Sequence, residues 1–433
     1  MNFRKVVKAL IPTTFFKKIE PYGHLFEAVF FNAMNGFPAR NLNVIGVTGT
    51  NGKTTTSFMI HKMLREAGYN VGLMTTVAYG VNDDIRQQTY HMTNVPIPAL
   101  IKRLKWMKKQ GVEWLVLETT SHALAQNRVW GVPYSVAVMT NVTHEHLDYH
   151  GTFESYRDAK RKLFKLANAN IKGLRTGITN TDDESSALFA SDVLHVVGYG
   201  LKNGHVVAKD VQLTSAGSTY KAVTDNETYD IACNIPGSFN VSNSLAVVAL
   251  GTVLDLSKQQ IEQGIAALEA VEGRMTRIDE GQDYDVIVDF AHTPDSFEKL
   301  FKDLKPVVQG KLIVMFGSAG RRDEAKRAVQ GKLAGEYADE VIVTEEDDRD
   351  IDGIEIMNQI AEGAESVGKV REQNLFLVHD RTEAISYAIG RAQKGDTVLL
   401  LGKGHEKTIE RANGENPWDE IATAHTAVKA RTT

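Results

Sequence analysis

Cysteine is nearly absent from this chain. One residue, Cys233, among 433 excludes an internal disulfide framework and any zinc site built on several thiolates. Such sparing use suits a reducing compartment, and the expected location is the cytoplasm. A basic excess is missing too. Lys and Arg number 49 against 54 Asp and Glu, a formal charge of −5, so nothing is left over to neutralise a phosphate backbone and nucleic acid is not an expected partner. Long apolar runs are also lacking. The most apolar stretch, 25–31, includes Glu27 and is far too short to span a bilayer. The N-terminus has no apolar region followed by a small-residue cleavage site, so no secretory signal is expected.

The composition that remains, 42% hydrophobic and 24% charged, is that of a globular protein, and 433 residues exceed one ordinary core. Residues 1–43 stand apart. Arg4, Lys5, Lys8, Lys17, Lys18 and Arg40 face only Glu20 and Glu27, with Phe15, Phe16, Phe26, Phe30, Phe31 and Phe37 interleaved. Two readings fit: a helical extension packed on the first domain, or a surface that touches a membrane or a lipid-linked substrate.

From residue 43 strands and helices alternate. Strands are expected at 44–48, 71–75, 114–117 and 135–140, and helices at 54–67, 96–109 and 153–166. This alternation predicts a parallel sheet covered on both faces. Between about 193 and 235 short alternating strands predict an antiparallel patch, and 239–254 returns to helix. The pattern restarts near 271–274, with strands expected at 285–289, 311–316, 340–344, 375–378 and 397–401 and helices at 323–337 and 381–393. The fold class is therefore α/β: a short basic and aromatic extension (1–43), a central nucleotide-binding parallel-sheet domain with a small antiparallel patch (44–272), and a Rossmann-like C-terminal domain (273–433).

The strongest motif is GVTGTNGKTTT at 46–56. It follows an apolar strand and opens a helix, the setting in which a GxxxxGK[ST] run binds phosphate. Gly49 and Gly52 allow close approach of the backbone, Thr50, Asn51 and Thr55 add N–H groups, and the helix dipole favours an anion. Lys53 is expected to reach the β- and γ-phosphates and Thr54 to offer its hydroxyl to Mg²⁺. Glu118 closes the strand 114–117, where α/β proteins place ligands, and is a candidate Mg²⁺ ligand; a strand-end glutamate also serves in surface salt bridges. The run TNVTHEHLDYH at 140–150 is rich in histidine and carboxylate but lacks zinc spacing, so a neighbouring phosphate loop makes Mg²⁺ the better expectation. YRDAKRKLF at 156–164 reads by itself as a solvated amphipathic face.

Taken together these segments resemble the Mur ligase superfamily, and within it the MurE type, which adds the third residue of the peptidoglycan stem peptide. The resemblance rests on GVTGTNGKTTT, on ETTSHALAQNR at 118–128, on 140–164 and on GSFNVSNSLA at 237–246. In the second domain it rests on EGRMTRID at 272–279, VDFAHTPDS at 288–296, RRDEAKR at 321–327 and GKGHE at 402–406. It implies that Glu118 and His146 are magnesium ligands and that Lys160 is carbamylated, which turns a cation into an oxygen donor suited to a hard metal. Lys53, Lys160 and His146 become the catalytic set, with ATP and two Mg²⁺ ions. Asn240 and Asn243 fall in the segment that contacts the base, and Arg274 and Asp289 match residues that close over ATP about a hinge near 271–274. Thr93, Ser121, His122 and Arg128 match the acceptor-binding segments. The implied activity is ATP-dependent amide-bond formation between a muropeptide-type acceptor and a free amino acid through an acyl phosphate, in a monomer or weak homo-oligomer.

Two features depart from the pattern. Only 45 residues precede Gly46, fewer than the family's uridine-binding N-terminal domain needs, so either UDP is bound differently or the acceptor has another carrier, such as a lipid. Where diaminopimelate-adding enzymes read Asp-Asn-Pro-Arg, this chain reads Glu346-Asp347-Asp348-Arg349. The resemblance gives Arg349 the amino acid's carboxylate and sets Gly402 and Glu406 near its distal end, so a diamino acid is the expected amine. Rivals are a MurT-like subunit, disfavoured by the single cysteine, and a small-molecule kinase, which would need neither the Lys160 motif nor the second domain.

Overall fold

The computed structural model describes residues 13–88, 90, 92–214 and 216–432. They form two compact units, one mainly of residues up to Leu268 and one mainly of residues from Glu269 onward, with 212–218 and 234–239 grouped with the second. The expected mixed α/β class is borne out in both.

An eleven-stranded sheet organises the first unit. Its strands are β1 (Asn43–Thr48), β2 (Val71–Met74), β3 (Ala78–Val81), β4 (Asp84–Gln87), β5 (Trp114–Glu118), β6 (Tyr134–Met139), β7 (Thr176–Asn180), β8 (His195–Gly200), β9 (Val206–Thr214), β10 (Gly217–Val223) and β11 (Thr228–Cys233). The order across the sheet is β11-β10-β9-β8-β7-β6-β1-β5-β2-β3-β4. β1 runs parallel to both neighbours, with Val47 beside Glu118 of β5 and Thr48 beside Met139 of β6. Five of its six residues are buried, which explains the unbroken apolar run: a parallel strand covered on both faces has no solvent side to mark. The helix Ser238–Val253, with eleven of its 16 residues buried, is apolar on every side from Leu245 to Gly251 for the same reason.

Two features differ from the sequence reading. β7, Thr-Gly-Ile-Thr-Asn, was not expected: it has one large apolar residue and no alternation, yet it is fully buried between β6 and β8. The antiparallel patch expected from about 193 begins later, because β8 still runs parallel to β7, and β9 to β8. At the other edge β3 and β4 form an antiparallel hairpin that turns at Asn82, φ 54°.

The helix Thr13–Met34 packs on this unit. Asn32 Nδ2 donates to the Trp130 carbonyl (3.2 Å), Asn127 Nδ2 to the Pro21 carbonyl (3.3 Å) and Gln126 Nε2 to Glu20 (3.2 Å). The expectations for Arg4, Lys5 and Lys8, and for the side chains of Phe15, Phe16, Lys17 and Lys18, lie outside the described residues. No helix among the described residues is long and apolar enough to cross a membrane.

The second unit is built on a six-stranded sheet in the order β12 (Thr276–Arg277), β13 (Asp285–Asp289), β17 (Thr397–Leu401), β14 (Leu312–Phe316), β15 (Glu340–Val343) and β16 (Leu375–Leu377). All pairs but β12 with β13 are parallel. A hairpin, β18 (Thr408–Arg411) and β19 (Gly414–Pro417), follows. Asp289 pairs in register with Leu401, so Asp289 and the loop 402–406 share the C-terminal edge of this sheet, where ligands bind in open α/β folds.

Candidate functional site

In the first unit the loop after β1 turns on two glycines with positive φ, Gly49 (151°) and Gly52 (82°), before the helix Lys53–Glu66 begins. Neither position has room for a side chain. A Cβ on Gly49 would fall 1.9 Å from Thr140 Oγ1, and one on Gly52 would fall 2.2 Å from Asn243 Oδ1. The loop is held by the segment after β6: Thr50 N–H donates to the Asn141 carbonyl (2.7 Å), Asn51 N–H to Asn141 Oδ1 (3.0 Å), and Thr140 Oγ1 to the Asn51 carbonyl (2.6 Å). Lys53 Nζ folds back onto the Thr50 carbonyl at 2.8 Å, and Thr54 and Thr55 lie in the first helical turn, both buried. Asn243 Nδ2 donates to Asn240 Oδ1 (2.9 Å), which sets both asparagines behind the loop.

Glu118, 1% exposed, sits at the C-terminal end of β5 beside this loop. Its carboxylate takes hydrogen bonds from Thr54 Oγ1 (3.0 Å), Thr76 N–H (3.0 Å) and Thr76 Oγ1 (3.0 Å). Thr76 Oγ1 also meets Thr93 Oγ1 at 2.8 Å, and Asn94 Nδ2 donates to the Glu118 carbonyl at 2.8 Å. Thr76 and Asn94 were not among the expected site residues. They sit on irregular segments flanking the β3–β4 hairpin, where periodicity carries no signal.

Lys160 comes to the same place from the helix Phe153–Ala169. It is 2% exposed, its Nζ donates to the Gly49 carbonyl at 2.6 Å, and it lies 4.4 Å from the Tyr156 ring centroid. Burial first, and the charge of Lys53 second, push its pKa well below the ordinary lysine value, against the opposing pull of Glu145 and Glu118. The helical face that reads as solvated therefore carries, on its inner side, a lysine aimed at the phosphate loop. His146, φ 56°, lies half exposed 3.7 Å from Glu145 and 6.0 Å from the Tyr156 ring. His122 packs edge-on against it at 4.7 Å, His150 Nε2 meets Ser121 Oγ at 3.1 Å, and Arg128 Nη1 donates to the Asn94 carbonyl at 2.7 Å. The structure thus brings Gly49 to Thr55, Thr93, Glu118, Lys160, Asn240 and Asn243 into one cluster, with His146, Ser121, His122 and Arg128 on segments bordering it.

The donor set suits a hard cation. Glu118 is a buried carboxylate whose hydrogen-bond partners are neutral hydroxyl and amide groups. Lys160, its protonation opposed by burial, is the kind of amine that takes up carbon dioxide.

In the second unit Arg274 lies 4.7 Å over the Phe290 ring. Asp289 accepts backbone N–H bonds from Met275 and Ala291, both 2.8 Å, while burial raises its pKa and Arg274 opposes the rise. The His405 ring, whose pKa burial and the Arg274 charge lower to about 3, lies tilted 4.9 Å from the Phe290 ring. Nothing in the spacing of VDFAH and GKGHE pairs these two residues; only the register of β13 with β17 does. Arg349, φ 59°, donates Nε to Glu410 Oε2 (2.7 Å) and Nη1 to the Gly320 carbonyl. Glu406 pairs with Lys403 at 2.6 Å, and Lys403 pairs also with Asp347 at 3.0 Å. Gly402, φ 104°, abuts Glu346: a methyl there would come within 2.7 Å of Glu346 Oε2. Glu346 is buried, and its carboxylate has no hydrogen bond or ion pair among the described residues; Lys326, Lys403 and Arg381 act on it only at longer range, and burial raises its pKa. Glu345, Asp348 and His379 also bring ligand atoms within 4.8 Å of one another, but Arg411 binds both oxygens of Glu345.

A phosphate loop backed by a buried carboxylate and a buried lysine, followed by a second parallel-sheet unit, defines an ATP-using enzyme of the α/β class. Family models place it further. The Mur ligase middle domain matches residues 47–251, and the Mur ligase glutamate ligase domain matches 273–404. The UDP-N-acetylmuramyl-tripeptide synthetase of Roseiflexus sp. (strain RS-1) is 40% identical over 412 residues, 92% of this chain and 80% of that protein. The UDP-N-acetylmuramoyl-L-alanyl-D-glutamate–2,6-diaminopimelate ligase of Geobacillus kaustophilus (strain HTA426) is 38% identical over 411 residues, 93% of this chain and 82% of that protein. A solved structure of a ligase of that same name superposes with a TM-score of 0.66 at 28% identity, covering 96% of this chain and 83% of the other. The chain belongs to the Mur ligase family, is MurE-like within it, and is an ATP-dependent ligase.

Proposed function

We propose that this enzyme joins a free diamino acid to the terminal carboxylate of a muropeptide acceptor, forming an amide through an acyl phosphate. The observation that carries the reading is the convergence of the phosphate loop, Glu118 and Lys160 at one buried point. An acceptor carboxylate oxygen attacks the γ-phosphorus of ATP and ADP leaves. The amine then attacks the acyl carbon, the C–O bond to phosphate breaks, and the amine gives up a proton as the amide forms. Lys53 and the loop N–H groups hold the phosphates and offset the charge that moves onto the leaving oxygen. Thr54, Glu118, His146 and a carbamylated Lys160 would hold Mg²⁺, which supplies electrostatic stabilisation of the phosphoryl group. The carbamate forms when the neutral Lys160 amine adds to carbon dioxide and releases a proton. Ser121, His122 and Arg128, with Thr93, line the acceptor side.

For the amine, Arg349 is assigned to the amino acid's carboxylate and Glu346 to its distal ammonium. Burial of the residue disfavours the charged carboxylate, and a substrate cation beside it offsets that cost. The acceptor's carrier, nucleotide or lipid, is set by its own experiment: mass spectrometry of products from UDP-linked and lipid-linked muropeptides. The class of reaction is tested by ADP release with candidate acceptors and amino acids. Turnover that needs both substrates supports a ligase; turnover with the acceptor alone would replace this reading with a kinase.

A further inference from the structure

The helix Thr13–Met34 has one face against the first unit, and its other face meets nothing among the described residues. Between residues 19 and 37 the exposed side chains are Ile19, Tyr22, Phe26, Val29, Phe30, Ala33, Met34 and Phe37, with Gly23 and Gly36 between them. From Ile19 to Met34 their spacing follows the helix, three or four residues apart, so they form one stripe, and Phe37, exposed, follows just past the helix end. Tyr22 and Phe26 are each 73% exposed and Met34 is 68% exposed. Phe26 stacks on Phe30 at 6.4 Å, which keeps the stripe continuous. No charged residue lies on it. The two acids of this stretch turn the other way: Glu20 takes a hydrogen bond from Gln126, and Glu27 lies 3.5 Å from the buried His24. An uninterrupted apolar face of this size on a helix already anchored by its other side marks a docking surface.

Charge selects the occupant. Immediately before the stripe, residues 1–18 carry Arg4, Lys5, Lys8, Lys17 and Lys18 and no acid. Beyond its far end Arg40 is exposed, and Lys105 Nζ binds Asn35 Oδ1 at 3.1 Å, with exposed Lys102 one turn earlier on the helix Ile97–Lys109. In sequence the stripe is thus preceded by basic residues, and exposed basic residues lie near its far end, in a chain whose overall charge is −5. A second copy docked on this face would bring like-charged segments together, whereas an anionic bilayer surface accepts the apolar stripe below its headgroups and the cations among them.

We propose that the Thr13–Met34 helix lies in the plane of an anionic membrane surface and docks the enzyme there through Tyr22, Phe26, Val29, Phe30, Met34 and Phe37. No helix among the described residues is long and apolar enough to span, which fits a helix that lies on a bilayer rather than across it. This proposal stands apart from the ligase reading, since none of these residues belongs to the catalytic cluster.

The test is flotation of the full chain with vesicles of phosphatidylcholine mixed with phosphatidylglycerol, and with vesicles of phosphatidylcholine alone. The expected result is binding to the mixed vesicles only, weakened by added salt. The double variant Phe26→Ser/Phe30→Ser should lose about tenfold or more in vesicle affinity, because two buried rings are removed from the bilayer contact. Its melting temperature and ADP release should match the parent, since both rings point to solvent. Sedimentation equilibrium of the same two proteins provides the contrary outcome. A dimer that the variant abolishes, without vesicle binding by the parent, would overturn the proposal in favour of self-association. So would equal binding to both vesicle types, or binding to neither.

Discussion

The two units treat charge in opposite ways. Around the phosphate loop Glu118 and Lys160 are met by neutral partners: hydroxyls and an amide hold Glu118, and a carbonyl holds Lys160. In the second unit nearly every charged side chain at the sheet's C-terminal edge is already paired: Arg349 with Glu410, Lys403 with Asp347 and Glu406, Arg411 with Glu345, and buried Arg381 with Glu420. Glu346 and Arg274 are exceptions: the carboxylate has no ion pair among the described residues, and Arg274 Nε has no hydrogen-bond partner there. The difference separates two kinds of preparation. The first site holds Glu118 and Lys160 in position without a charged partner, which suits ligands that arrive with their own charge. The second is a mostly paired network that leaves Glu346 open to a cation, which suits selection of a substrate by its distal charge.

Substitutions can break this contrast, and the largest effect should come from the loop. Lys53→Ala removes the loop's flexible amine, and ADP release should fall about a thousandfold with no change in the melting curve. Retained turnover would remove the lysine from the mechanism. Lys160→Ala should cost about a hundredfold or more, in line with loss of a metal-supporting group, and short-chain carboxylates such as acetate should restore part of the rate. Absence of rescue in a folded variant would count against the carbamate.

Glu346→Gln keeps the shape and deletes the charge. The KM for the diamino acid should rise about tenfold, with kcat little changed, if the carboxylate meets a cation. The same variant sharpens the stability argument. The folded pKa of Glu346 lies above the ordinary 4.5, so the folded state holds the proton longer than the unfolded chain. That contribution to stability is present at low pH and is lost as pH rises from about 4.5 through the raised value. Glu346→Gln should therefore gain melting temperature relative to the parent as pH climbs through that window. Parallel pH profiles for the two proteins would show that the carboxylate is compensated. The smallest effect is expected from Thr76→Val, which removes one of the hydrogen bonds orienting Glu118 and should slow turnover about fivefold.

The sequence makes some of this readable and hides the rest for physical reasons. The phosphate loop is legible because its parts are consecutive and β1 is an unbroken apolar run. Glu118 is legible from its place at a strand end. Lys160 is not, because 111 positions separate it from Gly49 and its helix has a strongly charged outer face; the family resemblance alone pointed to it. Thr76 and Asn94 act from irregular segments, where neither period nor motif marks them. β7 lacks apolar alternation because its neighbours on both sides, rather than its own residues, make it a strand. Glu346 was visible only as a departure from a motif; its lack of a partner is a property of the packed sheet edge.

The central claim, amide formation through an acyl phosphate, has a direct test in the fate of one oxygen atom. With a muropeptide acceptor whose terminal carboxylate carries oxygen-18, turnover with ATP and the diamino acid should release inorganic phosphate bearing one labelled oxygen. The oxygen that attacks phosphorus stays with phosphorus when the amine displaces it. Amide product accompanied by unlabelled phosphate would contradict the account.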